Sequence, residues 1–344
     1  MAKSKSKSKQ PAKSPKVTST TILEPNYFVT GVRGLAGSDV VLTGNSVTDG
    51  VQNPLLYTGP ISPTDPDGIH ILVPQISGQQ ITGATFYGPD TPLFNPSIGK
   101  GNIRAVGSYQ YAGSAARNHG LYYEGPAGGG GTWQQIDVPS QLFPGRTVWN
   151  TIAHSTMGDL VVGNYDLMHD GTPVPFSGNA FIYNIRTKRW TIFDLGGAAS
   201  LTTAYGIWQI ERGGTRYVIA GGTRDGHGLN KGMLINYDAE TGAFGNPTLY
   251  SAMNVPSLVT HFEGITAVPG GYHLAAGTIR DVAVFCSVKV DADGAFGAAR
   301  WIPYEYPGSV LTTGNTIYQN TMMGIYAVSG NDGVQSYAAA VELR

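Results

Sequence analysis

The 344-residue chain has one cysteine, few charges and no long apolar run. Each shortage excludes something. A lone cysteine, Cys286, leaves no intrachain disulfide. It lies in the apolar segment VAVFCSVKV, which suits a small buried side chain better than a nucleophile. Charged residues make up 13% of the chain, about half the usual quarter, which excludes a coiled coil and a charge-rich disordered protein. No apolar stretch nears the roughly 18 residues of a membrane-spanning helix. No window carries a convincing 3.6-residue hydrophobic period. The motifs G-x-S-x-G, H-E-x-x-H and C-x-x-C are absent, so no motif supports serine, zinc-protease or cysteine chemistry.

What is abundant is glycine, 48 residues or about 14%, roughly twice average usage. The net charge of −1 hides an asymmetry. Six lysines (Lys3, Lys5, Lys7, Lys9, Lys13, Lys16) alternate with serine and other small residues in MAKSKSKSKQPAKSPK, with no acid among them. Such a segment cannot bury enough surface to offset the entropy of ordering, so residues 1–17 are expected to be a disordered basic tail. A solubilising leader is the simplest role for it. The body, 18–344, is mildly acidic and lacks a basic stripe, so a dedicated nucleic-acid binder is not expected. No apolar leader follows the basic start, which predicts a cytoplasmic protein, although the low charge fits an extracellular setting too.

Internal repetition organises the body. A short apolar run ending near glycine recurs as VVLTGN, IRAVGS, LVVGNY, YVIAGG, YHLAAG and IYAVSG. A second run follows each: PLLYTG, GLYYEG, AFIYNI, GMLINY, VFCSVKV and YAAAVEL. An upstream run precedes each pair, starting at Gly31, Gly83, Asn150, Gly206, Gly264 and Asn315. A fourth run closes five units, and the sixth unit reaches Arg344 without one. The spare run is at the other end, in TSTTILEP (18–25). These runs are four to eight residues long, β-branched or aromatic, and bounded by turn formers, which is the signature of strands. Four strands per unit, six times, predicts an all-β fold: a single six-bladed β-propeller whose N-terminal strand completes the last blade. A pair of β-sandwiches is the runner-up, but it leaves the displaced strand unexplained.

On that pattern, residues 18–344 resemble six-bladed β-propellers. Phrases such as GLYYEG and AFIYNI resemble HAF-type repeats of bacterial extracellular proteins. The first strand of each blade lines the central channel of a propeller, so polar residues near the six starts are the informative ones. In Thr260-His261-Phe262-Glu263-Gly264, alternation puts His261 and Glu263 on one face. Tyr205, Asn150, His154 and Asn315 occupy nearby places in other blades. One carboxylate with amide oxygens is a hard-oxygen set suited to Ca²⁺. This arrangement resembles the channel site of senescence-marker/gluconolactonase and paraoxonase-type propellers. That resemblance implies Glu263, Asn150 and Asn315 as calcium ligands. It also implies His261 or His154 as general base, with Tyr205 beside them, for hydrolysis of a small ester or lactone. The alternative is a non-catalytic, lectin-like propeller that binds glycans or a protein partner.

The remaining candidates have plainer explanations. Asp49, Asp166, Asp225, Asp281 and Asp332 recur after the glycine-ended runs, where Asp-Gly is simply good hairpin chemistry. Trp133, Trp190 and Trp301 open fourth strands at equivalent places, which predicts core packing rather than sugar stacking.

Overall fold

The computed structural model describes residues 14–343 except 77, 115–116, 175–177, 196–200, 279–281 and 331–332. Six antiparallel sheets of four main strands each stand around a common axis, giving a six-bladed β-propeller. Blade one comprises Tyr27–Gly34, Val40–Thr48, Val51–Gly59 and Ile69–Ile71. Blade two comprises Ile81–Asp90, Asn102–Tyr111, His119–Pro126 and Thr132–Gln135. Blade three comprises Thr147–Met157, Leu160–His169, Asn179–Asn184 and Arg189–Phe193. Blade four comprises Thr202–Gln209, Arg216–Arg224, Asn230–Asp238 and Phe244–Tyr250. Blade five comprises Thr260–Val268, Gly271–Thr278, Ala283–Val290 and Phe296–Tyr304.

Blade six closes the ring. Its inner strand is broken into Ser309–Thr312 and Thr316–Tyr318, both paired with Thr321–Val328. Val334–Glu342 follows, and the outer place is taken by Lys16–Ile22 from the other end of the chain. That strand begins two residues before the expected boundary. Residues 1–13 of the basic tail lie outside the described residues, as do Asp281 and Asp332. Seven residue pairs, Lys16↔Glu342 to Ile22↔Ser336, join the two ends without a covalent link.

Apolar faces of successive blades pack together. One large core joins blades three, four and five through residues such as Ile182, Ile219, Leu234 and Leu274. The outer-strand tryptophans pack inward as expected: Trp133 stacks on Phe86 and Trp301 on Phe262, and Trp190 meets Tyr183 and Phe181. Cys286 is fully buried in this core, and burial holds its thiol well above the usual range. Asp49-Gly50 and Asp170-Gly171 turn with both residues at positive φ, the backbone of a tight hairpin.

Around the axis the inner strands crowd one another, and glycine is required for contact rather than for turning. A Cβ on Gly31 would lie 2.0 Å from the Tyr87 carbonyl oxygen, and one on Gly88 2.6 Å from that of His154. Gly264 faces the Thr316 backbone at 2.8 Å. Gly83, by contrast, has open space, with its nearest neighbour 4.0 Å away. Gly31→Ala is therefore expected to destabilise by at least about 1–3 kcal/mol, whereas Gly83→Ala changes stability little or raises it. Chemical denaturation of the two variants checks this.

Candidate functional site

Each inner strand of blades one to five carries a β-bulge at the axis that aims one residue at the channel. Those of blades two and three carry a second bulge further along, between Ile81 and Gly83 and between Val148 and Asn150. The register breaks between Val29 and Gly31, Phe86 and Gly88, Ala153 and Ser155, Ala204 and Gly206, and Phe262 and Gly264. In blade six the same place falls in the strand break before Thr316. The displaced residues are Thr30, Tyr87, His154, Tyr205, Glu263 and Asn315, one per blade, and all six are half-buried. A bulge re-aims one side chain without changing strand direction, which is why these six converge. All six line a single axial cavity of about 210 Å³.

Neighbouring members touch around the ring. Asn315 Nδ2 donates to the Val29 carbonyl (2.8 Å), and the Thr30 hydroxyl to that of Phe86 (2.6 Å). The His154 ring sits between Tyr87 (centroids 4.9 Å) and Tyr205 (4.5 Å). Tyr205 is 5.5 Å from the His261 ring, and His261 Nε2 closes on Glu263 Oε1 in a short ion pair.

Glu263 is the electrostatic centre of this wall. Burial disfavours a charged His261, yet the Glu263 carboxylate outweighs it by charge and hydrogen bond and raises the imidazole above its ordinary value. Burial pushes the Tyr205 and Tyr87 hydroxyls up, and Glu263 adds to both shifts, so both phenols remain protonated donors at neutral pH. Burial takes His154 down to about 4, against the pull of Glu263. His154, one of the two candidate general bases, is thereby a neutral, weakly basic ring.

Arg33 closes the far end of the cavity. Only 4% exposed, it reaches across the channel to the carbonyls of Ile207 (2.8 Å) and Ile265 (3.5 Å) and lies over Trp208, 5.2 Å from the ring centroid. Burial lowers it to about 10, so it remains cationic at neutral pH. Its Nε has no hydrogen-bond acceptor, and no carboxylate among the described residues pairs with it directly. Buried Asp90 lies close enough to act on it through charge. Its oxygens are taken by Thr91 N, Asn95 Nδ2 and Gly158 N, and burial raises it to about 6.

Of the expected residues, the structure brings together His261, Glu263, His154, Tyr205 and Asn315. Asn150 is not in the cavity wall: it accepts from Asn118 Nδ2 (2.9 Å) and donates to Asp166 (2.8 Å). The repeat starts at Gly83, Asn150 and Asn315 were out of register, because Gly88, Ser155 and Thr316 are the true equivalents of Gly31. The three donors expected for Ca²⁺ do not meet at one point. Glu263 is engaged by His261, and Asn315 Oδ1 already accepts from Thr313 (2.7 Å). Among the described residues no group of three His, Cys, Asp or Glu side chains is placed to hold a metal. Sequence reasoning missed Thr30 and Tyr87. The signal was present: a channel residue followed at once by glycine or serine, as in Thr30-Gly31, Tyr87-Gly88, His154-Ser155, Tyr205-Gly206 and Glu263-Gly264.

No protein-family model and no curated protein sequence matches the chain. Its fold is similar to that of the GH93 α-L-arabinofuranosidase of Fusarium graminearum solved with arabinobiose. The TM-score is 0.55 at 11% identity, over 94% of this chain and 97% of that one. The α-L-arabinofuranosidase Arb93A from Fusarium graminearum with an iminosugar inhibitor gives 0.54 at 12% identity, with the same coverage. At such identities the likeness is one of fold. No helix among the described residues is long and apolar enough to cross a membrane.

The depressed His154 titration has a stability consequence. The folded state disfavours the imidazolium, so its contribution is complete above the unfolded value of about 6.5 and is lost as pH falls towards about 4. Between pH 7 and 4 the wild type is expected to lose more stability than His154→Phe, by on the order of 2 kcal/mol, in paired urea titrations.

Proposed function

We propose that this protein is a hydrolase that takes an acidic sugar residue into the axial cavity and uses the Glu263–His261 pair as its acid–base group. The observation that carries the reading is that ion pair, whose Glu263 member lines, with the buried Arg33 guanidinium, the axial cavity and whose His261 member stands beside it. His261, held protonated by Glu263, is the proton donor to the leaving oxygen. The Glu263 carboxylate faces the positive charge that develops on the sugar ring. Tyr87, His154 and Tyr205 present aromatic faces to the apolar side of a ring, while Asn315 and the tyrosine hydroxyls serve its polar edge. A buried cation without a directly bonded counter-ion is costly, and a ligand carboxylate supplies one to Arg33. The shared fold with arabinofuranosidases is consistent with a carbohydrate substrate.

A second reading, hydrolysis of a small ester or lactone with His261 as base, is favoured by the carboxylate count. Glycosidases commonly use two carboxyl groups, and Glu263 is the one carboxylate in the described cavity wall. Substrate choice separates the two. A panel of 4-nitrophenyl glycosides, glycosiduronates, esters and simple lactones is expected to show turnover of the glycosiduronates. Glu263→Gln should then lower kcat/KM by roughly 10²-fold or more. The rate should fall as pH rises through the raised His261 titration, and His261→Asn should remove that limb. Turnover restricted to esters and lactones would transfer the assignment to the second reading. Tight uronate binding without any turnover would leave a glycan-binding propeller.

A further inference from the structure

A second constellation lies off the axis, at the rim between blades two and three. The Ser114 hydroxyl is 2.7 Å from His119 Nε2, and His119 Nδ1 is 2.6 Å from Asp137 Oδ2. Ser114 sits in the turn after Asn102–Tyr111, His119 opens the next strand, and Asp137 follows the outer strand Thr132–Gln135. Blade geometry alone brings the three into a line.

The supporting contacts suit a nucleophile, a base and a group that orients the base. Asp137 Oδ1 accepts from Gly120 N (2.9 Å), and Oδ2 accepts from Gln135 Nε2 (2.6 Å) as well as facing the imidazole. Tyr109 fixes that glutamine by donating to its Oε1 (2.8 Å). The His119 ring is only 6% exposed and stacks on Tyr111, with centroids 4.8 Å apart and planes 28° apart. Ring and carboxylate are thus held in place while Ser114 is half-buried in the lining of the cavity. In the tautomer with Nδ1–H on Asp137, Nε2 accepts from the serine, as triad chemistry requires, and the Gln135 amide 3.1 Å from Nδ1 gives its proton to Asp137 instead. The three residues line an open cavity of about 430 Å³ that also takes Asn118, Gln141 and Val148.

We propose that Ser114, His119 and Asp137 form a Ser-His-Asp hydrolytic site for small carboxylic esters, separate from the axial cavity. Ser114 Oγ attacks the acyl carbon and its proton passes to His119 Nε2. The tetrahedral species collapses with cleavage of the C–O bond, and the alkoxide leaves with the proton from Nε2. Water then attacks the acyl-serine, again giving its proton to Nε2. Collapse releases the carboxylic acid and restores the Ser114 hydroxyl, so the sum is ester plus water to acid plus alcohol. Asp137 is a positioning residue. Asn118 Nδ2 is given to Asn150, so the Gln141 side-chain amide is the donor on the same wall for the developing oxyanion. No local motif announces this site: its members are spread over positions 114, 119 and 137 and meet only through strand register.

The full-length protein would be treated with a fluorophosphonate probe and digested for mass spectrometry, and 4-nitrophenyl acetate turnover followed in parallel. The expected result is one adduct, on Ser114, and a burst of nitrophenol on acylation. Ser114→Ala, a change in a surface turn, should abolish both. His119→Gln should do the same, and Asp137→Asn should lower kcat by roughly 10²-fold or more while KM holds. Absence of an adduct, an adduct elsewhere, or unchanged turnover in Ser114→Ala overturns the proposal. The position of the adduct also separates this activity from any ester hydrolysis in the axial cavity.

Discussion

Everything in this molecule depends on how closely six inner strands can approach one axis. Where they meet, the chain has no room for a Cβ, and Gly31, Gly88 and Gly264 stand against the backbone of the next blade. The bulge immediately before each of these glycines turns one side chain into the space that remains. Ring closure and site formation are therefore one event. The contacts that line the cavity, from Asn315 to Val29 and from Thr30 to Phe86, are also contacts between neighbouring blades. The pairing of Lys16–Ile22 with Val334–Glu342 completes the circle and so holds the first and last members of the wall in register.

Charge in this narrow space is arranged by burial. Burial and the Glu263 carboxylate together leave His261, His154, Tyr205 and Tyr87 in different states: a favoured imidazolium where Glu263 outweighs burial, and a neutral imidazole and two protonated phenols where burial dominates. Such divergence among close titratable groups is a mark of sites that move protons. On the floor Arg33 has no directly bonded carboxylate, because Asp90 spends its oxygens on Thr91, Asn95 and Gly158 and acts on the guanidinium only through charge.

The blades were legible in the sequence because each strand carries its own apolar run and its own turn. Even the closure was legible, since TSTTILEP is a strand with no partner in its own unit. The channel wall was legible only in part. Glu263, His261 and Tyr205 followed from strand alternation, but blades two, three and six were aligned by the wrong residue. The inner strands of blades two and three carry a second bulge five residues earlier, ending at Gly83 and Asn150, so those residues stood where Gly88 and Ser155 belong. Asn150 consequently looked like a channel ligand, whereas it holds Asp166 on the second strand. The Ser114–His119–Asp137 line was invisible for a different reason. Its members share no spacing that any local pattern encodes.

The most direct measurement is a crystal structure of the protein soaked with galacturonate. The account predicts the sugar in the axial cavity, its carboxylate on Arg33 and its ring against Tyr87, His154 and Tyr205, with an oxygen near the Glu263–His261 pair. Galacturonate bound only in the groove between blades four and five, beside Tyr272 and Phe296, with the axial cavity holding water alone, would contradict it.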